Sequence, residues 1–135
     1  MSFEWRDFLS LARSLEAASA SPGPAEAAQR TAASRAYYAA FHCAISVGMQ
    51  EGYIPHYSGE DHKRVQAHFR EFRTPDADTR QAHKKVAAQL DRLLDYRRMA
   101  DYIDTPTTTP RALADMALGL ADTVIRTLDS LVPPG

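Results

Sequence analysis

Cysteine is nearly absent from this chain of 135 residues, and the single thiol, Cys43, excludes both an internal disulfide and a zinc site built from several thiolates. Set among Phe41, Ala44 and Ile45, it reads as core filler. Neither sign of charge is in excess. The formal net charge is −1, so the molecule as a whole does not attract polyanions, and any such site has to be a local cluster of Arg, Lys and His. No apolar run approaches the ~20 residues that span a bilayer. The opening MSFEWRDFLSLARS carries Glu4, Arg6 and Asp7 where a signal peptide would be apolar. The expectation is a soluble, cytoplasmic protein with no membrane role. Also missing are strand-length alternation of apolar and polar residues, internal repeats and low-complexity segments. There is no Gly-rich phosphate loop, nucleophile elbow or HExxH, and no DNA-specific signal.

What is present is helical periodicity. Trp5, Phe8, Leu9, Ala12 and Leu15 recur at three- and four-residue steps and predict a first helix over roughly Ser2 to Ser19. Ser21-Pro22-Gly23-Pro24 breaks it, and Pro24 suits the first position of the next helix. That second helix, to about Gln50, is apolar almost all round between Ala32 and Val47 and rich in alanine. Such a helix belongs in the middle of a bundle. Gly52, Pro55 and Gly59 mark a loop, with Ser58 as the expected N-cap of a third helix over Gly59 to Arg73. That helix turns His62, Val65, Phe69 and Phe72 to one side. A fourth, from Asp78 to Tyr102, points Val86, Leu90, Leu93 and Leu94 inward. Thr109-Pro110 reads as an N-cap followed by proline at the first turn of a fifth helix, which stops at Pro133-Pro134. The length suits one domain over residues 1–135, an all-α bundle of about five helices.

Two clusters carry candidate chemistry. Thr31, Arg35, Tyr38, His42 and Ser46 fall on one narrow arc of the otherwise greasy second helix. A guanidinium and an imidazole on a central helix are costly unless partnered or wet. The stripe is therefore an internal network, a solvated groove or an interface with another subunit. The second cluster closes the fourth helix: Arg97 continues the inward stripe with Asp101 four residues on, while Arg98 faces with Asp91, Asp95 and Tyr102. These residues either satisfy one another at a helix C-terminus, or Arg97 and Tyr102 help bind phosphate or a base near the stripe. His62 reads as a hydrogen-bonded core or interface residue, His68 and His83 as surface residues, and His56 as a loop residue. His62 and His68, six apart, are a poor match to same-face metal ligands, so no metal site and no cofactor are expected.

The run Ser34-Arg35-Ala36-Tyr37-Tyr38-Ala39-Ala40-Phe41-His42-Cys43-Ala44 resembles the second-helix signature of prokaryotic HEPN domains. His62-Lys63-Arg64-Val65 with Phe69 resembles the third-helix pattern of that family. Arg98-Met99-Ala100-Asp101-Tyr102 resembles its R-x-x-A-D-Y. The resemblance covers about Ser34 to Tyr102. It implies a HEPN-like up-and-down bundle of four to five helices, often homodimeric, in toxin–antitoxin, defence or RNA-processing systems, with a nucleotidyltransferase-type protein as possible partner and RNA or a nucleotide as ligand. Arg35 and His42 match the loose Arg-x4–6-His spacing of HEPN ribonucleases, whose metal-independent chemistry uses the His as acid–base and the Arg on the phosphate. The late segment has Arg97 and Arg98 but no His after them, which points to a non-catalytic member. Tyr38, His62, Arg97, Arg98, Asp101 and Tyr102 are then the candidate nucleotide, RNA or interface residues. An endoribonuclease toxin using Arg35 and His42, and a purely scaffolding bundle, stand as alternatives.

Overall fold

The computed structural model describes residues 4–18, 25–103 and 107–132. Within them the chain forms five helices and no strand: α1 (Asp7–Ala18), α2 (Ala25–Gln50), α3 (Asp61–Arg70), α4 (Ala77–Tyr102) and α5 (Pro110–Leu131). The expected break at Ser21–Pro24, the N1 role of Pro24 and the stop at Pro133-Pro134 lie outside the described residues. The helix ends follow local chemistry. The Asp76 carboxylate accepts the Thr79 amide at 3.0 Å and caps α4, and the Thr109 hydroxyl accepts the Ala112 amide at 3.2 Å and caps α5, with proline in its first turn. α3 is shorter than its periodicity predicts. It starts after Glu60 rather than at a Ser58 cap, because the Ser58 hydroxyl takes the Glu60 amide and the Ser58 amide turns to Asp61.

The alanines of α2 decide the architecture. Ala32, Ala33, Ala36, Ala39, Ala40 and Ala44 are completely buried, since side chains this small let neighbouring helices approach closely on several sides. α1, α3, α4 and α5 all pack on α2. One apolar core joins it to Leu9 and Ala12 of α1, Val65 and Phe69 of α3, Leu90, Leu93 and Leu94 of α4, and Val124 and Leu128 of α5. No helix among the described residues is long and apolar enough to cross a membrane.

Pairs between elements give the helix directions. Arg6 reaches Asp129 and Arg13 reaches Asp122, so α1 and α5 are antiparallel. Ser34 meets Asp101 and Glu51 meets His83, so α2 and α4 are antiparallel. α3 differs: its start lies beside Tyr37 and its end beside Glu51, so it runs in the same sense as α2. The chain leaves α2 through Gly52, whose φ of +99° closes the helix with the Tyr53 amide on the Gly48 carbonyl at 2.8 Å. It then doubles back along α2 before α3 begins. That return loop places a histidine and a tyrosine next to the polar stripe.

Candidate functional site

Because the loop returns, His62 at the start of α3 lies against the middle of α2. Its ring stacks on Phe41 with centroids 4.6 Å apart, and its Nδ1 is 2.5 Å from the Tyr37 hydroxyl. Burial raises the Tyr37 pKa above the ordinary tyrosine value, so the phenol keeps its proton while it shares a hydrogen bond with Nδ1. His42 takes a different neighbour. Trp5, just ahead of α1, lies face to face with it, 3.7 Å between centroids and 15° between planes. Burial lowers the pKa of His42, helped by the nearby His62. Burial also lowers that of His62, helped by Arg97 and Arg98. Both imidazoles are accordingly neutral near pH 7. They share an open groove of about 540 Å³ with Trp5, Tyr38, Ile45 and Tyr57, a volume typical of small-ligand sites.

A cationic edge adjoins this groove at Tyr38. The Arg35 guanidinium of α2 stands 5.6 Å from the Tyr38 ring centroid and 5.5 Å from that of Phe8. The Arg97 guanidinium of α4 stands 5.4 Å from the same Tyr38 ring and 5.2 Å from that of Tyr102. Such cation–π contacts hold a guanidinium in place without neutralising it. Arg97 also donates to the Tyr102 hydroxyl at 3.2 Å, and its Nε lies 3.0 Å from Asp101 Oδ2, which accepts from the Ser34 hydroxyl at 3.1 Å. Arg98 makes a loose 3.7 Å pair with Asp95 and is half exposed. Tyr102 therefore belongs to Arg97 rather than to Arg98, and Asp91 is taken by Lys63.

The sequence-predicted residues are thus brought together, with one separation. Tyr38, His42 and His62 line the groove, and Arg35, Arg97, Asp101 and Tyr102 form its neighbouring edge. Arg35 and His42 are not in contact; Tyr38 lies between them, its ring 6.2 Å from His42. Among the described residues Arg35 has no carboxylate partner and His42 has no hydrogen bond; their contacts are with rings, Phe8 and Tyr38 for Arg35 and Trp5 for His42.

Two features escaped the sequence. The first is the anchoring of the return loop. The buried Asp61 carboxylate accepts the Tyr53 hydroxyl, the His56 amide at 3.0 Å, the Ser58 amide at 3.3 Å and Arg64 at 3.0 Å. Burial alone would raise its pKa, but the hydrogen bonds from Tyr53, His56, Ser58 and Tyr57 win and hold it at about 2. Loop amides that lack a helix partner need some acceptor, and that need was the available signal. Inside the loop Tyr57 adopts φ +56°, a left-handed conformation that costs a non-glycine residue roughly 1–3 kcal/mol. The second feature is a buried tie at the far end of α2. His83, expected at the surface, is 1% exposed, its Nδ1 on the Thr79 carbonyl at 2.8 Å and its Nε2 on Glu51 at 2.7 Å. The other Glu51 oxygen meets His68 at 2.9 Å, and Phe72 stacks on His83 at 4.0 Å. The inward stripe of α4 simply begins one turn earlier, at His83. Among the described residues no group of three or more His, Cys, Asp or Glu could hold a metal ion.

Compared with known proteins, the chain matches no family model, no curated protein and no solved structure.

Proposed function

We propose that this chain is a non-catalytic HEPN-type module that binds a nucleotide or a short unpaired RNA segment on the Tyr38 face of α2. It acts as a homodimer in a toxin–antitoxin or defence system, with a nucleotidyltransferase-type protein as partner. The setting and the partner rest on the sequence resemblance over Ser34–Tyr102. The ligand rests on one observation: guanidiniums from two helices converge over Tyr38, at 5.6 and 5.4 Å, beside a groove holding two neutral imidazoles and an indole. Flat rings suit a base, which stacks on aromatic faces, and guanidiniums suit its phosphate. A scaffolding role accounts for Arg35 only through its contacts with the Phe8 and Tyr38 rings and leaves its charge without a counterion among the described residues.

The test is titration of purified protein with a short single-stranded RNA and with nucleoside monophosphates. The expected result is saturable binding, weakened about tenfold by Arg35→Ala combined with Arg98→Ala, the size of a lost charge-assisted phosphate contact. Absence of binding to either ligand would overturn the reading. A second reading, metal-independent cleavage with His42 as acid–base, draws on the neutral state of His42, the form a general base requires. Cleavage of total RNA, lost in His42→Ala, would replace the binding reading with that one.

A further inference from the structure

We propose that Tyr57 is a preformed aromatic wall of the groove, clamping one nucleobase together with the Trp5–His42 stack while its phosphate faces Arg35, Arg97 and Arg98. The inference rests on the nucleotide reading above and names the residue that would give it affinity. Four observations converge on Tyr57. It is the one non-glycine residue with positive φ among the described residues. Its side chain lies 85% exposed on the rim of the groove that Trp5, His42 and His62 also line. It has no hydrogen bond or ring contact of its own side chain among those residues. The backbone on both sides of it is pinned, the His56 and Ser58 amides being held by the buried Asp61 carboxylate, which Tyr53 and Arg64 hold in turn.

Taken together these facts describe a bulky ring placed where the backbone favours glycine and where the fold does not use it. Glycine or asparagine would meet the left-handed conformation at lower cost. A loop that holds a strained residue rigidly and points its ring outward has lost the ordering entropy in advance, and this is what a stacking partner needs. The occupant follows from charge and shape. The groove is apolar and aromatic, the imidazoles of His42 and His62 give it polar ring edges, and the adjoining edge is cationic. A planar heterocycle carrying a phosphate is complementary to all three. With a molecular net charge of −1, the surface suits one nucleotide unit better than a long polyanion. That unit comes either as a free nucleotide or as a single unpaired base in RNA.

The experiment uses the full chain and the fluorescence of its sole tryptophan, Trp5, which a base stacking in the groove would quench. Adenosine 5′-monophosphate and a short oligoadenylate are titrated into wild type, Tyr57→Leu, Tyr57→Gly and, as a control on the same loop outside the groove, Ile54→Ala. The expected result is affinity lowered about tenfold or more in both Tyr57 variants, the size of one base–aromatic stack, and unchanged in Ile54→Ala. Tyr57→Gly is expected to melt at a higher temperature than wild type while binding worse, so that loss of folding cannot account for the loss of affinity. Quenching by the monophosphate identifies a free nucleotide as ligand, and quenching by the oligoadenylate alone identifies an unpaired RNA base. Wild-type binding that survives undiminished in Tyr57→Gly overturns the role of Tyr57 and leaves the nucleotide reading intact. Wild type that binds neither probe overturns both.

Discussion

His42 shows most directly how a single residue carries the functional question. Its imidazole is stacked on Trp5 and half-buried, without a carboxylate to stabilise its charged form. The charged form is therefore disfavoured in the folded state relative to the unfolded chain. The unfolded chain then binds more protons than the native protein, so stability rises with pH across this titration. The contribution of His42 and His62 is fully present above the ordinary histidine pKa of 6.5 and is lost as pH falls from there through their lowered folded values. Histidine ring signals followed by NMR are expected to titrate below pH 6.5 for both residues, with Trp5 fluorescence changing at the His42 midpoint. A midpoint at or above 6.5 for His42 would mean that water or an acid reaches the ring and that the stack on Trp5 is not its resting state. The same scale explains what was hidden. Tyr57 and Asp61 sit in a turn-rich stretch where no periodicity singles out any position, and a carboxylate with loop amides around it looks in sequence like any surface aspartate.

At the scale of the element, α2 is the helix on which the rest depends. Its buried alanines are as informative as its aromatic residues, because they say how near the neighbouring helices lie. Ala40 is completely buried, and a leucine there would add volume to a core that has no room for it. Ala40→Leu is expected to lower stability by about 1–3 kcal/mol, read as a shifted midpoint in urea unfolding. Ala27→Leu, on an exposed turn of the same helix, is expected to change it by less than about 0.5 kcal/mol. Equal effects at the two positions would contradict the central placement of α2. The helices themselves were legible to within a few residues, since 3.6-residue periodicity and the Thr109-Pro110 start are local properties. The end of α3 was not, because Phe72 follows the apolar spacing yet lies beyond Arg70, stacked on His83 of α4.

Across the whole molecule, charge sets what the site can bind. Three guanidiniums, Arg35, Arg97 and Arg98, gather near one face of a protein with net charge −1. About three phosphate contacts predict a log K against log salt slope near −2 for single-stranded RNA, at roughly −0.7 for each phosphate neutralised. A slope much steeper would place RNA on some other, more extended surface. The Glu51–His68–His83 tie acts on this scale too, joining the end of α2 to α3 and α4. It lies at the opposite end of α3 from His62, and so supports the return loop from its far side.

The sequence alone determined that this chain is all-α, that a small-residue helix runs through its middle, and that one face of that helix carries Arg35, Tyr38 and His42. Those properties follow from spacing along a single helix, which the chain contains in itself. Whether that face met its own bundle or an open groove was decided only by the tertiary structure. The direction in which α3 returns along α2, the arrival of Arg97 over Tyr38 and the docking of Trp5 on His42 are contacts between residues distant in the chain. Packing of the core and the hydrogen bonds of one buried aspartate select them, and no periodicity records either.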